Sequence, residues 1–234
     1  MHAFASMHSP MCIVCAAYVL QVRDLTLSGL TLRDAASTSF SPHGLPSGGD
    51  WALPRQAAIS LTGTDGVRIV ANLFTHLDGN AIFAGGSHRR LAIDSNEFAW
   101  LGGSAIALWG DTSPCLNSNC TVALPNGVAM GPDGRGGTQP MGTSVLGNLA
   151  REIGIWQKQS SFFFQAVSAM TTLRANVVFN GPRAALNFND GSWTPGRGGS
   201  LSRTCIAHMR LVHHYGQGTC MHPLLLGCIL CTRA

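Results

Sequence analysis

Apolar and polar positions alternate along this chain in short bursts, and the bursts repeat. Val67-Arg-Ile-Val-Ala-Asn-Leu-Phe74, then Leu77 and Asp-Gly-Asn80, overlays without a gap on Leu91-Ala-Ile-Asp-Ser-Asn-Glu-Phe98, then Leu101 and Gly-Gly-Ser104. The offset is about 24 residues, within the range of solenoid repeats. The template reads apolar, any, apolar, two variable residues, Asn, any, apolar. Its first slot holds Leu25, Val67, Leu91, Thr143 and Thr171, and its second Leu27, Ile69, Ile93, Val145 and Leu173. Its last slot holds Leu32, Phe74, Phe98, Ala150 and Val178, and the Asn slot Leu30, Asn72, Asn96, Asn148 and Asn176. Alternation of period two within each unit predicts strands rather than helices. A unit this short cannot bury its own apolar face, so it must stack on its neighbours. An Asn at a bend can hydrogen-bond the Asn of the next coil, replacing backbone pairing lost at the corner. Leucine-rich repeats carry such an Asn too, but with more leucine and often a helical segment. Here β-branched residues, Phe, Gly and Ala dominate, so the expected fold is all-β: a parallel β-helix of about five to six coils.

Two long insertions interrupt the repeat. One is Ala35–Ala58, carrying Asp50 and Trp51; the other is Trp109–Gly142, carrying Cys115 and Cys120. Long loops on a rigid solenoid commonly carry function. Cys115 and Cys120 are close enough for a local disulfide in an oxidising compartment. The domain organisation expected is a leader or first strand over 1–21, a repeat domain over 22–191, and a non-repeating tail over 192–234. The tail concentrates His208, His213, His214, His222 and four Cys. Residue type permits zinc there, but Cys228-Ile-Leu-Cys231 has no second pair at finger-like spacing. A poorly specified tail is the plainer reading.

Composition changes the picture little. The 28 Gly suit tight corners, which need φ > 0. The net charge is +4 and the arginines are scattered, with no basic run interleaved with aromatics. A nucleic-acid partner is not expected. The apolar runs near Met11–Leu20 and Pro223–Leu230 are too short to span a bilayer.

The coil pattern, the Asn slot and the insertions resemble right-handed parallel β-helix proteins of the pectate-lyase-like superfamily, and in particular the right-handed β-helix domain proteins. The segments that carry the resemblance are Pro46-Ser-Gly-Gly-Asp-Trp-Ala52, Leu77-Asp-Gly-Asn-Ala81, Glu97-Phe-Ala-Trp-Leu-Gly102, Ile153-Gly-Ile-Trp-Gln-Lys-Gln-Ser160 and Asn180-Gly-Pro-Arg-Ala-Ala-Leu-Asn-Phe-Asn-Asp-Gly191. It spans about Val22 to Gly191. Ser192 onward does not match, so the chain reads as an incomplete family member. The resemblance implies a right-handed coil, a secreted or extracellular protein, a monomer, and an acidic polysaccharide bound or cleaved on an outward groove. It leaves the cofactor open, with calcium as the one to consider.

Ile82, Ile106 and Leu186 align and should point inward. Phe83, Ala107 and Asn187, then Gly85, Trp109 and Asn189, should point outward. The expected groove is Trp109, Lys158, Asn187, Asn189 and Asp190, roofed by Asp50 and Trp51. A Trp ring stacks on apolar sugar faces while amides bond hydroxyls. Lyase chemistry needs a base, a group that neutralises the uronate carboxyl, and help for the leaving oxygen. In some related lyases a Lys and an Arg serve as base and acid. Lys158 resembles that Lys. The matching Arg position holds Asn189, with Arg183 at the preceding turn. The structural alternative stays open for each residue: a solvated lysine for Lys158, turn chemistry for Asn187, Asn189 and Asp190, loop packing for Asp50 and Trp51. Three readings compete: a carbohydrate-active enzyme, a non-catalytic binding or structural module, and an inactive incomplete chain.

Overall fold

A computed structural model describes residues 17–36, 54–110, 139–168 and 170–188 in full. Of the rest it describes the backbone of Leu53, Asn189 and the short strands Phe4–Ser6, Cys12–Ile13, His43–Gly44, Cys205–Ala207, Arg210–Tyr215 and Gly218–Cys220. Among the described residues the structure is all-β, with no helix, and none that could cross a membrane.

Three parallel sheets account for nearly all of it. The first is built from Phe4–Ser6, Thr26–Ser28, Arg68–Val70, Ala92–Asp94, Ser144–Leu146, Thr172–Arg174 and Cys205–Ala207. The second runs through Cys12–Ile13, Thr31–Arg33, Leu73–Leu77, Glu97–Leu101, Leu149–Arg151, Val177–Phe179 and Arg210–Tyr215. The third holds Ala17–Leu20, Ala57–Asp65, Asn80–Arg89, Ile106–Trp109, Phe163–Ala166 and Leu186–Asn189. The chain visits first, second and third in the same order on each circuit, which is compatible with a parallel β-helix. Part of the segment expected as a non-repeating tail joins the stack: Cys205–Ala207 pairs with Thr172–Arg174, and Arg210–Tyr215 with Val177–Phe179. Gly218–Cys220 pairs antiparallel with Arg210–Tyr215 at the end of the second sheet, and two further short additions lie off the main path. His43–Gly44 pairs antiparallel with Leu53–Pro54, and Pro140–Met141 extends the third sheet beside His88 and Arg89.

The repeat slots are the registers. Leu27, Ile69, Ile93, Val145 and Leu173 are successive partners across the first sheet. Leu32, Phe74, Phe98, Ala150 and Val178 are partners across the second, and all five are buried. Phe74 stacks on Phe98 with ring centroids 4.9 Å apart and planes 15° from parallel. Phe162 meets Phe98 edge-on at 6.3 Å. Inward residues of the third sheet, including Ile82, Ile106 and Phe163, close the same core.

The corner between the first and second sheets is made by one left-handed residue per coil. Gly29, Ala71, Ser95, Gly147 and Ala175 have φ of 70°, 54°, 54°, 61° and 55°. Each precedes the Asn slot. A left-handed non-glycine residue costs about 1–2 kcal/mol, so something must hold the bend. The Asn side chains do. Asn72, Asn96 and Asn148 each donate Nδ2 to the Oδ1 of the next Asn, at 3.1, 3.0 and 3.0 Å. That same Oδ1 accepts the preceding Asn's backbone N–H at 2.9–3.0 Å. The second Nδ2 proton reaches back to the preceding coil, to the carbonyls of Leu27, Ile69, Ile93 and Val145 from Asn72, Asn96, Asn148 and Asn176. Leu30 ends the ladder by donating only its backbone N–H to Asn72 Oδ1, at 2.9 Å.

Asn96→Ala should leave the buried Asn72 backbone N–H without its acceptor and remove one bond each from Asn72 Nδ2, Asn148 Oδ1 and the Ile69 carbonyl. Stability should fall by about 3 kcal/mol or more. Phe98→Ala should cost about 3–5 kcal/mol through its cavity. Urea titrations of both variants against the parent check these values.

Candidate functional site

The outward face of the third sheet is the first place to look. Its register rows are Tyr18, Ser60, Phe83, Ala107, Phe164, Asn187 and Leu20, Thr62, Gly85, Trp109, Ala166, Asn189. Trp109 and Asn189 therefore do lie in one row, and Asn187 in the adjacent row. That face is not an open platform, however. Tyr18, Leu20 and Thr62 are exposed, but Phe83, Ala107, Phe164, Ala166 and Val167 form a second buried apolar cluster with Ala57 and Trp109. Trp109 is only 7% exposed, and the Arg55 guanidinium lies 4.2 Å over its ring. Both features leave little ring face for a ligand. Asn187 is buried as well.

The other expected residues are dispersed. The position on the intervening coil that aligns with Trp109 is Ala166, not Lys158. Lys158 is exposed in the turn that Ser160 N–H closes on the Gln157 carbonyl, before the strand begins. Arg183 is exposed in the bend before Leu186–Asn189. Asp50, Trp51, Asp190 and the side chain of Asn189 lie outside the described residues, as do Cys115, Cys120 and the side chains of the tail. Alternation alone could not show any of this. It gives which face a strand residue takes, but not whether that face is covered or how far a turn displaces its side chains.

The corner between the second and third sheets offers a different arrangement. Asp34, His76, Trp100, Glu152 and Asn180 occupy equivalent positions at the ends of the second-sheet strands, all left-handed with φ of 50–58°. A backbone turned this way swings the side chain away from the core. The His76 ring stacks on Trp100 at 6.2 Å, and Asn180 Nδ2 donates to Glu152 Oε1 at 2.6 Å. Trp100 is 44% exposed.

A second tryptophan joins it. The segment after Glu152 is clasped to the coil below: Ile155 N–H donates to the Leu101 carbonyl, and Trp156 and Gln157 N–H to that of Gly102. Trp156 is thereby held at the surface, 65% exposed, with Nε1 3.5 Å from Asp78 Oδ1. Its ring lies so close to Gly102 that a Cβ there would come within 2.5 Å of Cδ1. The Asp78 carbonyl is closer still, so the glycine is required first by that backbone and also leaves room for the indole. Beneath this row a second polar ladder fixes the corner. Asn80 Oδ1 accepts the Ser104 N–H at 2.9 Å, and Ser104 Oγ accepts the Ser161 N–H at 3.1 Å.

Trp100 and Trp156 were absent from the expected site. Both lie within segments that carry the family resemblance, and Trp100 fills a slot that is polar on the other four coils, which was the available signal. Among the described residues no three His, Cys, Asp or Glu side chains are placed together to hold a metal. No family model, curated protein or solved structure matches the chain.

One buried titratable group lies apart from this corner. His88 is fully buried at a register shift in the third sheet. Its Nδ1 is 2.8 Å from Thr64 Oγ1, and its Nε2 is 2.9 Å from the Gly85 carbonyl. Burial pushes its pKa below the ordinary 6.5, and Arg89 adds to this, while the Gly85 and Leu61 carbonyls oppose it. The folded protein then binds fewer protons than the unfolded chain just below that value, so stability falls as pH drops through it. Thermal melts from pH 7.5 to 5 should show a declining Tm, and His88→Gln should flatten the decline. This window lies above ordinary carboxylate titration.

Proposed function

We propose that this chain is a right-handed parallel β-helix that binds a polysaccharide at the corner between its second and third sheets, without catalysing its cleavage. The observation that carries the reading is the pair of exposed indoles, Trp100 and Trp156, held by backbone on adjacent coils. Exposed large aromatics on a rigid frame offer apolar area at little entropic cost. A pyranose ring stacks on such a face while its hydroxyls meet polar neighbours. Here those neighbours are Asp78, Glu152 and Asn180. The three-sheet circuit and the family resemblance support the β-helix assignment and its hand. A secreted monomer is consistent with this proposal.

One observation favours the lyase reading, that Lys158 lies two residues from Trp156. A base needs its pKa lowered by burial or a neighbouring cation, and Lys158 is exposed. Binding without cleavage is therefore the better-supported reading.

Trp100→Ala and Trp156→Ala should each weaken oligosaccharide binding about 2- to 10-fold with the fold intact. Trp109→Ala should instead cost about 3–5 kcal/mol of stability. Calorimetric titration paired with thermal melts separates the two effects. Release of unsaturated products from a uronic-acid polymer, lost in Lys158→Ala, would establish the lyase reading in place of this one.

A further inference from the structure

We infer that the ligand of the Trp100–Trp156 corner is a chain of amino sugars carrying protonated amines, rather than an acidic or neutral polysaccharide. The inference rests on the reading of that corner as a sugar-binding site and names the class of sugar.

The carboxylates at this corner fall into two groups. Asp34 pairs with Arg33, and Glu97, at the opposite end of the strand that carries Trp100, pairs with Arg151 at 2.9 Å. These are neutralised within the protein. Asp78 and Glu152 have no cation partner among the described residues. Asp78 is exposed and Glu152 half-buried. The donors beside them are neutral, the Trp156 indole N–H and the Asn180 amide. Each lies beside an exposed indole, on the same coil or the next.

Their spacing follows from the registers. Asp78 is level with Gly102, one coil before it, and Glu152 is level with Trp100, one coil after it. Coils lie about 4.8 Å apart, so carboxylate, aromatic and carboxylate succeed one another over roughly 10 Å along the axis. A polymer of amino sugars has the complementary pattern, with apolar ring faces and ammonium groups on each unit. An ammonium also gains from the indole face itself. A uronate chain would place like charges against Asp78 and Glu152. A neutral chain would desolvate both carboxylates with no ionic return. Lys158 opposes the inference in sign. It lies two residues beyond Trp156, in the turn that faces solvent.

The test titrates the full chain, by tryptophan fluorescence, with a glucosamine oligomer, its N-acetylated counterpart and an oligogalacturonate. The glucosamine oligomer should bind about five- to tenfold tighter than the N-acetylated one. The preference should shrink about threefold in Asp78→Asn and in Glu152→Gln. It should also vanish when pH is raised until the amines lose their protons, and weaken at high salt. Equal binding of the two glucosamine oligomers, tighter oligogalacturonate binding, or a preference untouched by both variants overturns the inference. If Trp100→Ala still weakens binding in those cases, the sugar-site reading survives. Binding of none of the three overturns both.

Discussion

Everything in this fold depends on the Asn ladder at the first corner. A parallel stack needs the chain to turn sharply at the same height on every coil. The left-handed residues Ala71, Ser95, Gly147 and Ala175 supply the turn. Alone they would leave backbone groups unpaired in the interior. Each Asn resolves this by bonding both ways, accepting two N–H groups from the coil before and donating to the coil after. The ladder also sets register. A slip of one residue would break every rung and turn Ile69, Phe74, Ile93 and Phe98 out of the core.

The first corner is thus polar and committed to its own ladder, and this explains where outward chemistry can sit. The third sheet's outward face is occupied by its own apolar cluster around Phe83, Trp109 and Phe164. The second corner differs. Its left-handed backbone throws one side chain per coil into solvent, and the chain uses that position variably: Asp34, His76, Trp100, Glu152, Asn180. Asn80, Ser104 and Ser161 hold the frame beneath, so these residues are free of a packing role. Gly102 is the exception. Its lack of a side chain lets the backbone pack against the Asp78 carbonyl and leaves room for the Trp156 ring.

The repeat was legible in the residues because contacts between equivalent strands of parallel sheets are periodic. The slots Leu27 to Leu173 and Leu32 to Val178, the stacking of Phe74 on Phe98, and the bonding of Asn72 to Asn96 all follow from one template, since equivalent residues must become neighbours when identical units stack. Strand spans and inward faces followed as well, because side chains in a strand alternate. Tertiary structure alone decided what is exposed. Whether Trp109 meets solvent depends on Arg55 and on an apolar cluster gathered from several coils. Whether Trp156 does depends on three hydrogen bonds to Leu101 and Gly102. Neither contact has a period. Each joins residues that no repeat relates, so a one-dimensional pattern carries the stack but not the surface that the stack presents.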